Sequence, residues 1–438
     1  MFGLSQFRKE IGSLGGIGSI KALNAMLTYT IALMLSRWMG IEEYGEFAFY
    51  IGVINLGMVF AAAGTENFLT REVSASLVIR DTNRIQRLVK YGILAASIGT
   101  LIVLSLIGIF DIIPWESGIL VKSTPGYLFV LIPLLVLCKI FHGVLRGFGR
   151  PTMALVPEVL LYPLLCLIAY YIFFSYMHLN VDSSIALFGN MLAAVLVVIV
   201  GVIAVRKTGL RQLKPSPSIS ELKSWGRSSF FFILVSASNS IFNQIDRIML
   251  GIMRDSSEVG IYAVAITNSN LVEFVTLAVN LSLAGVVSRL NALNDHKQLQ
   301  AMVKVFARIV FVSSGIIVAI LFVFGEWILK LFGSEFRLAY HSMMVLAISK
   351  LITAIASMSG LLLTMTGHEK WSAQIAFLAC SINVLLNLVL IPRFGATGAA
   401  YATLITVIIW RGMMARKVKI LTGIDPTPFL LWPKHNQT

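Results

Sequence analysis

Apolar runs of about twenty residues, each cut off by a charged cluster or by Pro and Gly, recur along the whole chain. They predict helices near 16–37, 46–67, 88–110, 126–146, 153–175 and 184–205, and six more near 229–250, 260–285, 305–325, 339–365, 372–391 and 396–415. Each run is long enough to cross a hydrocarbon core of about 30 Å at about 1.5 Å of rise per residue. Between the two sets lies a polar stretch, 206–227, carrying Lys214-Pro215-Ser216-Pro217. The pattern therefore predicts an all-α polytopic membrane protein of about 12 spans. Its domains are expected to be a six-helix lobe over 1–210, a cytoplasmic linker over 211–228, a second six-helix lobe over 229–418 and a cytoplasmic tail over 419–438.

The two sets also match each other. Gly45-Glu46-Phe47-Ala48, between the first two helices, corresponds to Gly260-Ile261-Tyr262-Ala263 between the seventh and eighth, and Gly149 after the fourth helix corresponds to Gly367 after the tenth. The offsets, 215 and 218 residues, are close enough to indicate a duplicated unit. An even number of helices per unit makes the repeats parallel, related by an axis along the membrane normal, with a central cavity expected between them. Two lobes rocking about such a cavity suit alternating access.

Composition agrees with the pattern. The chain is 57% hydrophobic and 13% charged over 438 residues, too apolar to clothe a soluble globule. The net charge of +14 changes the picture through its placement, not as a sign of nucleic acid. Of the 35 Lys and Arg residues, 25 fall on the side that carries both termini and the linker, seven fall on the other, and Lys21, Lys139 and Lys350 lie within spans. Positive residues gather on the cytoplasmic side, so both termini are expected there. The first apolar stretch runs on to Trp38 without a small-residue cleavage site, so it is expected to be a retained helix. Cys138, Cys166 and Cys380 all fall in apolar segments without metal-ligand spacing and read as packing residues.

Polar residues inside spans are costly, about 2.5–3.5 kcal/mol for a charge at the bilayer centre, so their spacing marks faces turned away from lipid. Lys21, Asn24 and Thr28 repeat at i, i+3, i+7 on helix one, and Lys139, His142 and Arg146 do so on helix four. Ser236, Asn239, Asn243 and Asp246 make a stripe on helix seven. Asn270, Glu273, Thr276 and Asn280 make one on helix eight, and Lys350, Thr353 and Ser357 one on helix ten. Asn383 and Asn387 add a shorter stripe on helix eleven, and Asn55 and Glu66 sit about three turns apart on helix two. Isolated Asn residues often only tie helices together. The three in-span lysines, read as unpaired, point instead to a cavity. The expected substrate-binding set is Lys21, Asn24, Lys139, His142, Arg146, Asn239, Asn243, Asn270, Lys350 and Asn383. For ion coupling or gating the expected set is Glu66, Asp246, Arg247 and Glu273, with proton or sodium coupling and no bound cofactor or metal. Glu158 is expected to cap or pair within helix five.

Five segments carry a resemblance: Met39-Gly40-Ile41-Glu42-Glu43-Tyr44-Gly45, Leu145-Arg146-Gly147-Phe148-Gly149-Arg150-Pro151, Asp246-Arg247-Ile248-Met249-Leu250-Gly251, Glu258-Val259-Gly260-Ile261-Tyr262-Ala263 and Leu331-Phe332-Gly333-Ser334-Glu335-Phe336. Together they resemble the polysaccharide-transport branch of the multidrug, oligosaccharidyl-lipid and polysaccharide exporter superfamily, the Wzx-type O-antigen flippases. That resemblance implies a non-enzymatic flippase moving a polyprenyl-pyrophosphate-linked oligosaccharide to the outer leaflet. Membrane lipids and other polysaccharide-assembly membrane proteins are the partners it implies. The alternatives are a cation-coupled multidrug exporter of the same superfamily, whose cavity should be richer in acids, and a membrane-embedded glycan polymerase, which commonly needs a larger outer loop than this chain offers. A scaffold that only recruits partners would leave the in-span charges unexplained.

Overall fold

The computed structural model describes the chain apart from residues 1–3, 113–125, 178–181, 211–215, most of 275–294 and 430–438; the side chains of 4–17 and of a few later helix positions also lie outside the described residues. Among the described residues every regular element is helical. The chain divides into two compact units, Gly15–Ala263 and a second made of Val264–Thr438 with Met1–Leu14.

The larger unit opens with α1 (Leu4–Ala61) and continues through α2 (Thr65–Val78), α3 (Thr82–Ile112) and α4 (Tyr127–Gly147). It then takes in α5 (Pro151–Tyr176), α6 (Ser183–Arg206), α7 (Ile219–Met253) and the start of α8 (Ser256–Ser269). Gly40 breaks α1, adopting φ 75° and ψ −174°, a left-handed backbone that a side chain would oppose. The apolar part, Gly18–Ala61, is 44 residues, about 66 Å of helix and twice the hydrocarbon core, so the break yields two spans.

The second break corrects a sequence expectation. Helix two ends at Ala61, and Ala63 and Gly64, both at positive φ, turn the chain into the separate helix α2. Glu66 therefore sits in the first turn of α2 and does not share a helix with Asn55. What places α2 is a pair of glycines on α4. A Cβ on Gly143 would lie 2.5 Å from the Glu66 carbonyl oxygen, and one on Gly147 2.7 Å from the Val73 Cβ. This small-xxx-small spacing lets the two backbones touch. Thr70 and Ser74 then donate from their hydroxyls to the Gly143 and Gly147 carbonyls at 3.2 and 3.0 Å.

In α5 the prolines act. Pro157 has no N–H to continue the α-helical ladder, and the next turn, Pro157–Leu161, widens to π geometry with Glu158 on it. α6 starts on two acidic caps: Asp182 accepts from the Ile185 N–H at 2.7 Å, and Glu43, from the Gly40 turn, accepts from the Ser183 N–H at 2.9 Å. α7 starts on a capping box, with the Ser218 N–H donating to Glu221 at 2.8 Å and the Glu221 N–H to the Ser218 hydroxyl at 3.3 Å. Near that end α7 is tied to α3 by Arg87–Glu221 at 3.1 Å and by the Tyr91 hydroxyl donating to Ser229 at 3.0 Å. At its other end α8 meets the second span of α1: a Cβ on Gly45 would fall on the Ser256 carbonyl and one on Gly260 2.3 Å from the Ile41 carbonyl oxygen. The two repeat-related glycines thus face each other.

The smaller unit holds a 3-10 turn at Asn270–Glu273, then α9 (His296–Phe332), α10 (Tyr340–Ile355), α11 (Ser357–Met365) and α12 (Glu369–Thr422). α12 is likewise broken, its 54 residues divided at Gly395, φ 55°, into two spans. α10 and α11 are separated at Ala356, so Ser357 is not on the continuous face expected with Lys350 and Thr353. Leu299, Val303, Met358, Leu362, Met414 and Val418 make a buried core here, and Gln300 exchanges two hydrogen bonds with the Asp425 backbone, at 2.7 and 3.0 Å.

Eight described helices are long and apolar enough to cross a membrane. Two of them are broken into pairs, and α7 with the α8 region completes a 12-helix fold in two repeats. Gly149 and Gly367, matched in the repeat, both take positive φ, 69° and 80°.

Candidate functional site

The face predicted on α4 is real, and it is occupied by acids. Lys139 Nζ lies 2.5 Å from Glu158 and 3.6 Å from Glu66. His142 Nδ1 lies 3.0 Å from Glu66 and 3.3 Å from Glu158, and Arg146 is 3.6 Å from Glu66. Three elements converge: the α4 face supplies the cations, the first turn of α2 supplies Glu66, and the π turn of α5 supplies Glu158. Glu158 thus pairs across to α4, not within its own helix as expected. Lys139, expected to be an unpaired cation, is neutralised, because a buried charge without a partner costs several kcal/mol.

Two chambers flank this cluster, each about 300 Å³ in volume, and Lys139 and Asn55 border both. One, of about 320 Å³, is walled by Asn24 and Thr28 of α1, Glu158 and Tyr170 of α5, and Asn190 of α6. There the Tyr170 hydroxyl donates to Asn190 at 2.7 Å, and the Cys166 thiol lies 3.0 Å from the same oxygen. The other, of about 310 Å³, reaches Glu66, Asn67, Ser236, Ser240 and Gln244. The first chamber is mainly apolar, with Asn24, Thr28, Asn55 and Asn190 among its amide and hydroxyl groups, whereas the second offers Asn55, Asn67, Ser236, Ser240 and Gln244 to a polar ligand.

Elsewhere the predicted residues scatter. Lys21 is half-buried on α1 and makes no ion pair among the described residues. Asp246 accepts from the Tyr262 hydroxyl at 2.5 Å, and Arg247 donates to Gln244 at 2.5 Å. Asn243 is exposed, and the side chain of Asn239 lies outside the described residues. In the smaller unit Lys350 donates to Glu273 at 2.7 Å, so this cation too is paired. The stripe through Asn270 does not form as drawn. The α-helix gives way to 3-10 geometry at Asn270, which is exposed, and Asn280 lies outside the described residues. Asn383 accepts from Asn387 at 3.1 Å in full burial.

Several contributors are not apparent in the sequence reading. Arg411, counted with the tail, stands on α12 with its guanidinium over the Trp410 ring at 4.5 Å, and its charge acts on Glu273. Asn190 and Tyr170 were hidden in unbroken apolar runs. Asn67, Ser240 and Gln244 become site residues only because α2 and α7 face the same chamber, where Ser236 of the predicted stripe joins them.

Long apolar helices that enclose paired charges and internal chambers define a multi-pass helical membrane protein. Over 93% of its length the chain superposes on 99% of an inward-facing multidrug-resistance MATE transporter of the MOP superfamily, with TM-score 0.73 at 15% identity. It superposes equally well, TM-score 0.73 at 15% identity, on the inward closed conformation of the lipid II flippase MurJ, covering 92% of this chain and 87% of that one. The family model described as "Polysaccharide biosynthesis protein" matches residues 8–272, and the MatE model matches 232–389. The chain belongs to the polysaccharide biosynthesis protein family. Among curated proteins it is 25% identical over 222 residues to the probable low-salt glycan biosynthesis flippase Agl15 of Haloferax volcanii, covering 50% of this chain and 46% of that one. It is 26% identical over 277 residues to the probable flippase AglR of the same organism, covering 61% of this chain and 55% of that one. The chain thus spans about half the length of the curated relatives it matches.

Proposed function

We propose that the chain is a flippase that carries a lipid-linked oligosaccharide across the cytoplasmic membrane by alternating access of its two six-helix lobes, with the termini and the 211–228 linker inside. One observation carries the reading: Lys139 stands in a spanning helix between two chambers, one mainly apolar and one polar, held there by carboxylates that another anion could replace. A phosphate arriving at Lys139 would take the place of Glu158, with a stronger charge-assisted contact. The released carboxylate, left in a low-dielectric wall, would take up a proton. Cargo and proton would thereby bind together, so flipping should depend on pH. Asn24, Asn55 and Asn190 are suited to the hydroxyls of the sugars. Lys350, beside Glu273 and with Arg411 near, offers the second lobe a similar exchange.

The finer reading is a polyprenyl-pyrophosphate-linked repeat unit of O-antigen or a similar surface polysaccharide in a bacterial inner membrane. It rests on the five motif segments. The test is flipping of a fluorescent lipid-linked oligosaccharide by reconstituted protein. Lys139→Gln is expected to slow it roughly ten- to a hundredfold, the worth of one charge-assisted contact of about 1.5–3 kcal/mol. Unchanged flipping by a combined Lys21→Ala, Lys139→Ala and Lys350→Ala variant that still inserts would overturn the assignment.

The acids of the cluster favour a second reading, a cation-coupled multidrug exporter. Efflux of a cationic dye that survives Lys139→Gln but is lost in Glu158→Gln would support it instead.

A further inference from the structure

The second span of α1 has a third face. Residues 47, 51, 55 and 58 line the two chambers, whereas Phe49, Val53, Gly57 and Phe60 line an apolar groove of about 580 Å³ closed by α3 and α7. Its outer lips are lipid-facing: Ile102 is 56% exposed and Leu106 50%. The volume is that of a small-molecule site and not of a packing defect.

The groove and the polar chamber beside it share two walls. α7 gives Ser236, Ser240 and Gln244 to the chamber and Ile233, Ile248 and Ile252 to the groove. Between them α7 meets α1 at one place and the turn that follows α1 at another. Gly52 lies against Ile248, where a Cβ would be 3.6 Å away, and Gly64 against Ser229, where a Cβ would be 2.5 Å from the carbonyl oxygen. The stretch of seam between those contacts has a charged, hydroxylated compartment on one side and an apolar trough open to lipid on the other.

We propose that this groove holds the isoprenoid chain of the lipid-linked cargo while its phosphate reaches across the α1–α7 seam toward Lys139. The inference rests on the flippase reading and adds the subsite for the tail. An ordinary phospholipid keeps its headgroup at the interface and would cover the groove no differently from any lipid-facing surface. Only a lipid whose head enters the protein uses a polar chamber and an apolar trough on adjacent faces of the same two helices. The branched and aromatic walls, Ile102, Val103, Ile233, Ile248 and Phe60 among them, suit a methyl-branched chain.

A photo-crosslinking amino acid at Ile102, and separately at the exposed Phe377 of α12 as a control, tests this in phosphatidylglycerol vesicles containing a small fraction of polyprenyl monophosphate. Ile102 should capture the polyprenyl lipid on the order of tenfold above its mole fraction, an enrichment that the burial of about two CH₂ groups supplies. Phe377 should label at bulk composition. Filling the groove with Ile102→Trp and Leu106→Trp should remove the enrichment and slow flipping about tenfold. Labelling at Ile102 that follows bulk composition overturns the groove even if wild-type protein flips. Enrichment at Ile102 in a protein that flips nothing upholds the groove and overturns the flippase reading.

Discussion

The two charged clusters, one in each compact unit, solve the same problem unequally. Around α4 two carboxylates face Lys139, Arg146 and a histidine, so fixed charges balance with His142 neutral. Around Glu273 one carboxylate faces Lys350 directly and the Arg411 charge at longer range, leaving a cation in excess. Both obey the rule that a buried charge keeps company. The difference lies in redundancy. Of the fixed cations, Lys139 alone holds both Glu66 and Glu158, whereas Glu273 has Lys350 beside it and the Arg411 charge in reserve.

That contrast can be broken most forcefully at the glycines. Gly143→Leu should prevent α2 from docking on α4, since its Cβ alone would lie 2.5 Å from the Glu66 carbonyl oxygen. Loss of monodisperse protein on size-exclusion chromatography is expected, and a well-behaved variant would show that α2 is not held this way. Next in size, Lys139→Ala leaves two acids facing only His142 and Arg146 and should cost about 3–5 kcal/mol, seen as a large drop in thermal midpoint in detergent. Adding Glu158→Gln should restore much of it. Lys350→Ala should cost less, about 1–2 kcal/mol, because Arg411 remains to face Glu273. Equal losses at Lys139 and Lys350 would erase the distinction between the clusters.

The smallest effect is expected outside the spans, at the α3–α7 tie. Arg87→Ala should cost about 0.2–1 kcal/mol, the range of a half-exposed ion pair. The Ser218 N–H, with Arg87 adding its charge, holds the Glu221 carboxyl below its ordinary value. Its contribution is therefore complete above the ordinary carboxylate range and is lost as pH falls through the lowered value. The Arg87→Ala difference in thermal midpoint should accordingly shrink in acid; one that grows there would refute the pairing. Tags at Asp182 and Glu335 are expected to be accessible only from outside, and cytoplasmic labelling of either would overturn the proposed orientation.

Much of this was legible in the sequence, and the limits have physical causes. The α4 face could be read because Lys139, His142 and Arg146 lie on one uninterrupted helix, where spacing determines direction. Their partners could not, because Glu66 follows a left-handed turn and Glu158 rides a π turn, and each break resets the period. The same effect misplaced Ser357, beyond the break at Ala356, and Asn270, in a 3-10 turn. Arg411 escaped notice because it lies at the end of an apolar run, where hydropathy alone cannot separate a membrane anchor from a residue turned inward. Reading Lys139 and Lys350 as unpaired was an error of the same kind, since a helix face shows what a residue points toward but not what waits there.

The meeting of Gly45 and Gly260 carries a historical consequence. In a two-fold symmetric pair of identical subunits, a residue on the axis touches its own copy. Two glycines at matching places in the repeat, abutting so closely that neither tolerates a Cβ, have the geometry of such a self-contact. Fusion of two such subunits would leave this contact in one covalent chain. Each Cβ would strike backbone, at Ser256 and at Ile41, so replacing one glycine makes no room at the other and both positions should stay glycine.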